Sequence, residues 1–253
     1  MTTNDTTMSL QRAAVLDQVL LQQELMRANG NRGDGLGNRS ATAAYEVNDY
    51  LSQITLGDPG TCGDKATTTF VVTDNSGSVC GPGGNDPTSQ RHDEALLTIR
   101  HVAAACTCGR DRVALLPFDQ PSLGLVLPQC LDGNGIRRLK RGMVIAERTG
   151  VSSSLLPALT FAERLAKLTP NHAAIVVLSD FELTDPYPNQ ELERLANFPG
   201  YVHVVVLGGF TPGQLEDDER VAISEITPES QPGEVAHAIF DGLTHYRQGV
   251  VAR

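Results

Sequence analysis

Five strand-length runs, TTTFVVTD, RVALLPFD, HAAIVVLSD, YVHVVVLG and VAISEIT, recur between residues 67 and 227. The first, third and fourth are apolar and rich in β-branched residues without an in-out alternation, so both of their faces must be covered. Helical segments separate the runs. Residues 88–106 place Leu96, Leu97, Ile99, Val102 and Ala103 on one helical face, and residues 155–168 do the same with Leu155, Leu159, Phe161 and Leu165. The closing segment EVAHAIFDGLTHYRQ aligns Val235, Ile239, Phe240 and Leu243, and shorter helices are expected over 133–147 and 190–197. A short edge strand is expected over Ser122–Leu127. Strands alternating with helices in this way predict an α/β fold: a doubly wound, mostly parallel central sheet flanked by helices.

Upstream the texture differs. Residues 9–28 set Val15, Leu16, Val19, Leu20 and Met26 at helical spacings, and NGNRGDGLGNRS follows as a polar, glycine-rich linker. The expected organisation is therefore an N-terminal helical extension over 1–65 and a domain over 66–253. Gly33, Gly35 and Gly37 are spaced somewhat like a dinucleotide-binding loop, but they neither follow a strand nor open a helix, and such a loop needs both.

Composition narrows the partners. With 30 acidic and 20 basic residues the formal charge is −10, which repels nucleic-acid backbones. The densest basic run, Arg137, Arg138, Lys140 and Arg141, carries no aromatic residue for base stacking and reads as a solvated helix face. No run approaches the roughly 18 apolar residues that span a bilayer, and the first residues lack the charged and apolar regions of a secretion signal. A cytoplasmic protein with reduced thiols is the expectation. The 5 cysteines, Cys62, Cys80, Cys106, Cys108 and Cys130, contain no Cys-x-x-Cys pair, which argues against a disulfide framework or a zinc knuckle.

The sharpest chemical signal is Asp74-Asn75-Ser76-Gly77-Ser78, directly after the most apolar strand and at the carboxyl edge where open α/β sheets bind ligands. Donors at i, i+2 and i+4 of a tight loop can turn a carboxylate and two hydroxyls toward one point, and hard oxygens suit a hard cation. These residues resemble the first motif, Asp-x-Ser-x-Ser, of the metal-ion-dependent adhesion site in von Willebrand factor type A domains. The family's second motif is a hydroxyl residue in a loop leading into a helix. Its counterpart here is Gly150-Val151-Ser152-Ser153-Ser154-Leu155, with Ser153 the match and Ser152 and Ser154 as alternatives. The third motif is an aspartate ending a central strand, matched by Asp180, with Phe181 where glycine is usual. The resemblance runs over about residues 66 to 248, in the family's order.

The resemblance implies that Ser76, Ser78 and Ser153 bind the metal directly, with Asp74 and Asp180 acting mainly through bound waters. Magnesium is the implied ion, with manganese or calcium as substitutes. Held by neutral hydroxyls, magnesium stays electrophilic at an exchangeable position that an Asp or Glu of a partner protein can fill. It further implies a non-enzymatic adaptor, working with an AAA+ ATPase or in a stress or defence system, with neither nucleic acid nor membrane as partner. Two rival readings follow from the residues. One is a metal-dependent phosphoester hydrolase, for which no Gly-x-Ser-x-Gly, His-Glu-x-x-His or phosphate-cradling lysine loop is present. The other is a structural assembly component using the helix over 9–28. Asp119 and Glu182 are candidates for the metal's outer surroundings, although solvated loop acids fit them better. The histidines, among them His172 and His203 at strand beginnings, show no ligand-like spacing.

Overall fold

A computed structural model describes residues 50–80, 84–86, 90–118, 124–146, 152–216 and 218–251. The expected helix over 9–28 and its linker lie outside these residues, which all belong to the unit Thr42–Arg253. Six strands form one sheet: β1 (Thr67–Thr73), β2 (Arg112–Pro117), β3 (Val126–Cys130), β4 (His172–Ser179), β5 (Tyr201–Leu207) and β6 (Val221–Ile226). Their order is β3-β2-β1-β4-β5-β6, parallel throughout except for the antiparallel β2–β3 pair at one edge. The order reverses at β1, so the switch point lies between β1 and β4.

Alternate residues of each central strand feed two separate cores. Phe70, Val72, Ala114, Leu116, Ile175 and Val177 face one layer, and Val71, Val113, Leu115, Val176 and Leu178 face the other. Numbered in chain order, α1 (Gly77–Cys80) follows β1. On the second face lie α2 (Arg91–Ala105), α3 (Gly133–Ala146) and α7 (Glu234–Thr244), contributing Ile99, Leu139 and Phe240 among others. On the first face lie α4 (Leu156–Leu168), α5 (Pro188–Ala196) and α6 (Gly213–Glu216), contributing Leu159, Leu195 and Leu215. Each large side chain buried this way contributes roughly 1.5–3 kcal/mol from apolar area alone, which is what offsets the ordering of two covering layers.

The doubly wound, mostly parallel sheet read from the sequence is therefore the observed one. The edge strand differs: among the described residues it runs over Val126–Cys130, and every residue in it is half-buried. It shares only its first two residues with the expected Ser122–Leu127, whose first two residues lie outside the described ones. An edge strand covered only in part carries little hydrophobic pattern to fix its ends, and Pro128 is tolerated only because it sits at an edge. Residues 50–65, assigned by sequence to the extension, lie on the domain. Asp58 bridges to Val251 and Thr61 to Gln248, while the Tyr50 hydroxyl donates to Glu94 at 2.5 Å. The basic residues Arg137, Arg138, Lys140 and Arg141 are exposed, as a solvated helix face requires. Among the described residues no helix is long and apolar enough to cross a membrane.

His203 on β5 is buried, with one ring nitrogen 2.9 Å from the Ser224 hydroxyl and the other 3.3 Å from that of Tyr201. Burial pulls its pKa down to about 4. In the unfolded chain histidine titrates near 6.5, so between these values the unfolded chain takes up a proton that the folded chain refuses. Stability is then full above about pH 6.5 and falls as pH drops toward 4, by roughly 3 kcal/mol for this one group. Thermal unfolding followed by circular dichroism should show this acid limb flattened in His203→Gln; an unchanged pH profile would remove His203 as its source.

Candidate metal centre

The β1–β4 pairing builds the site. Their register sets Thr73 beside Leu178, and the Asp74 N–H extends the ladder by donating to the Leu178 carbonyl at 2.8 Å. Asp74 and Asp180 therefore leave adjacent parallel strands side by side at the carboxyl edge. Both are buried, at 0% and 2% exposure.

Each carboxylate is oriented by donors. Asp74 accepts the Ser76 N–H at 2.9 Å on one oxygen and the Ser179 hydroxyl at 2.7 Å on the other. Burial raises the Asp74 pKa above the ordinary carboxylate value; these hydrogen bonds pull the other way, and the charge of Asp180 adds to the rise. That last influence records two like charges held close together. Asp180 accepts the Asn85 side-chain amide at 3.1 Å and the Glu182 N–H at 3.1 Å. Among the described residues, no basic side chain forms an ion pair with Asp74 or Asp180.

The hydroxyls of Ser76 and Ser78 stand 3.0 Å apart. Neighbouring oxygens around an octahedral magnesium at about 2.1 Å are separated by about 3 Å, so the pair fits one edge of such a polyhedron. The donor set, hydroxyl and carboxylate oxygen, has the hardness that magnesium, manganese or calcium requires.

Ser153 is buried in the loop before α4, and its carbonyl accepts the Thr184 N–H at 3.1 Å, tying this loop to the one that leaves β4. The neighbouring serines differ in their contacts. Ser154 gives its hydroxyl to Asp185 at 2.7 Å, whereas the Ser153 hydroxyl has no hydrogen-bond partner among the described residues. Asp185 also accepts the N–H groups of Leu155 at 2.8 Å and Leu156 at 3.0 Å, so it caps α4 from outside the helix.

Phe181 follows Asp180 directly, and its φ of 58° is left-handed. A non-glycine residue there costs roughly 1–2 kcal/mol. Its N–H donates to the Ser179 hydroxyl at 2.9 Å and its ring packs against the first core, which together hold the strained turn. Gly208 and Gly209 press the loop after β5 onto this region: a Cβ on Gly209 would lie 2.4 Å from the Asp180 carbonyl oxygen.

Sequence reasoning missed two supports. Arg91, at the start of α2, is buried and ion-paired with Asp86, and it donates to Asn75 at 3.0 Å and to the Cys80 sulfur at 2.7 Å, so the serine loop is braced from behind. Asp185 is the other; nothing local in the sequence pointed to it, because the helix start that it caps lies about thirty residues earlier in the chain. Asp119 lies outside the described residues, and Glu182 is an exposed loop residue touching Asp180 through its backbone.

Similar architectures occur among solved structures. The pilus adhesin SpaC of Lactobacillus rhamnosus GG aligns with 74% of this chain and 31% of its own, at 11% identity and a TM-score of 0.53. The likeness is one of fold: a mostly parallel sheet with helices on both faces. A von Willebrand factor type A protein from Catenulispora acidiphila aligns over 74% of this chain and 47% of its own, at 13% identity and a TM-score of 0.49. An aerotolerance-related membrane protein of Bacteroides fragilis aligns over 71% of this chain and 100% of its own, at 15% identity and a TM-score of 0.46. The chain spans less than half the length of the first solved structures it matches. No protein-family model matches the sequence, and no curated protein matches it.

On this scaffold the neighbouring serines make different contacts, which gives a test of their roles. Asp185→Ala and Ser154→Ala should lower thermal stability, the first by about 1–3 kcal/mol because two helix N–H groups and a hydroxyl lose their acceptor. Ser153→Ala should leave stability nearly unchanged while weakening divalent-cation binding, read by calorimetric titration. The reverse pattern would favour Ser154 over Ser153 as the candidate ligand.

Proposed function

We propose that this protein is a divalent-cation-dependent protein–protein interaction module. In this reading Ser76, Ser78 and Ser153 hold magnesium directly, Asp74 and Asp180 act through waters, and an Asp or Glu of a partner protein completes the coordination. The observation that carries the reading is the pair of buried aspartates leaving adjacent parallel strands at the switch point, neither of them ion-paired with a basic side chain among the described residues. Like charges at this depth are costly unless a cation joins them, and a dication bounded by hydroxyls is the group that the donors suit.

The surroundings favour a protein partner. Phe210, in the loop after β5, is 94% exposed and Tyr187, in the loop after β4, is 66% exposed, so both aromatic side chains stand free on the carboxyl edge that bears the site. Large aromatic residues beside a charged anchor are the side chains that supply most binding energy in interfaces. A metal-bridged carboxylate adds direction and reversibility. The reading takes the module as non-catalytic, and an AAA+ ATPase or a stress or defence component is the class of partner to assay first.

Titration calorimetry with magnesium or manganese should show one saturable site, lost in Asp74→Ala and Ser76→Ala while circular dichroism is preserved. Partner capture should be reversed by EDTA and restored by magnesium, and Phe210→Ala should weaken capture without altering metal affinity. Capture indifferent to chelator would favour a purely structural role. Magnesium-dependent turnover of a generic phosphoester, lost in Asp180→Ala, would overturn the non-catalytic reading.

A further inference from the structure

The opposite end of the sheet holds a second cluster with different chemistry. Cys106 and Cys108 follow α2, Asp111 precedes β2, and Cys62 arrives from the segment before β1. Their three sulfurs and one carboxylate oxygen all lie within 4.8 Å of one another. Cys62 and Cys106 sulfurs are 3.8 Å apart, Cys106 and Cys108 3.7 Å, and Cys106 sulfur lies 3.8 Å from the Asp111 carboxylate. A disulfide needs about 2.05 Å and pairs two sulfurs, leaving the third. A tetrahedral metal with metal–sulfur distances of about 2.3 Å separates its sulfur ligands by about 3.8 Å, which is the spacing found.

The cluster's supports are those of a ligand set. The other Asp111 oxygen accepts the Thr67 N–H at 3.0 Å, which fixes the carboxylate's direction. The Arg110 N–H donates to the Cys108 sulfur at 3.3 Å, across a turn that Gly109 permits with a φ of 63°. Arg247 comes from the C-terminal segment with its side chain only 1% exposed. Its guanidinium lies 3.4 Å from the Cys62 sulfur and 4.0 Å from the Asp111 carboxylate, and its Nε and one terminal nitrogen have no hydrogen-bond partner. A cation buried so deeply and bonded so incompletely calls for more negative charge than Asp111 alone supplies. Three thiolates and a carboxylate around a dication form a dianionic cluster, which this guanidinium would partly neutralise.

We propose that Cys62, Cys106, Cys108 and Asp111 form a tetrahedral site for a zinc-class dication, which staples the segment before β1 to the loop between α2 and β2. The role is structural, because all four positions are filled by protein and none is left open for substrate. Each thiol releases its proton to solvent as it becomes a ligand. The absence of a Cys-x-x-Cys pair does not count against the site, since the fold brings the third thiol from 44 residues away. Soft thiolates exclude magnesium, so this site and the serine–aspartate site take different metals.

The test uses the full chain, purified under reducing conditions and loaded with cobalt(II) as a spectroscopic stand-in for zinc. One equivalent should produce thiolate-to-cobalt charge transfer and the intense visible bands of tetrahedral coordination, and equimolar zinc should bleach them. Cys108→Ser should cut affinity by about 10-fold or more, as should the removal of the supporting charge in Arg247→Met, while Ser76→Ala should leave the spectrum intact. Zinc should also raise the unfolding temperature of the unsubstituted chain, which keeps the test decisive if a variant fails to fold. Absence of thiolate charge transfer in the unsubstituted chain would overturn the proposal. So would a Cys62–Cys106 disulfide found by mass spectrometry in metal-replete protein.

Discussion

The parallel pairing of β1 with β4 is the constraint on which the rest depends. Its register brings two chain exits together at a point where the strand order reverses, and both exits are aspartates. Neither carboxylate would be held in so dry a place by local preference. They are held because Phe70 and Ile175 are locked into one core and Val71 and Val176 into the other. A strand clamped on both faces cannot slide by one residue without turning every side chain to the wrong layer. The core thus fixes the geometry of the charged edge, and the burial of Asp74 and Asp180 is a local cost carried by that packing.

The two edges of the sheet then diverge in chemistry for a reason that lies in the loops. At the carboxyl edge, the short exits after β1 and β4 present hydroxyls and carboxylates, and loop-to-loop bonds such as Thr184 to Ser153 draw a third segment inward. At the amino edge, the residues entering β1 and β2 meet the end of α2 and the C-terminal segment, and three thiols collect there with Asp111, Arg247 lying against Cys62. Backbone bridges from Asp58 to Val251 and from Thr61 to Gln248 keep Cys62 in reach. Hard and soft donors are kept apart by the length of the strands themselves.

Legibility followed the physics of each element. The buried strands announced themselves, because a strand covered on both faces is continuously apolar, and HAAIVVLS of β4 has every residue after His172 buried. The half-covered edge strand β3 carries no such pattern, so its ends lie where no hydrophobic run marks them. Asp74, Ser76 and Ser78 were visible as one contiguous motif, and Asp180 as the polar end of an apolar run. The serine at 153 could not be separated from its neighbours by spacing, since three adjacent hydroxyls share one environment in sequence. In space Asp185 takes the hydroxyl of Ser154, which sets that serine apart from Ser153. Phe181 was visible as a departure from the usual glycine, but its left-handed backbone and the Ser179 bond that steadies it were not.

By itself the sequence determined the kinds and order of the elements, the strand-end position of both aspartates and the hard character of the donors between them. These are encoded by residues close in the chain, where periodicity and turn chemistry act directly. Only the tertiary structure decided that Arg91 braces the serine loop, that Asp185 caps α4 and that Cys62 joins Cys106, Cys108 and Asp111. Each of those contacts joins side chains from separate segments, and their convergence depends on how loops and terminal segments are laid over a finished core, which no local pattern records.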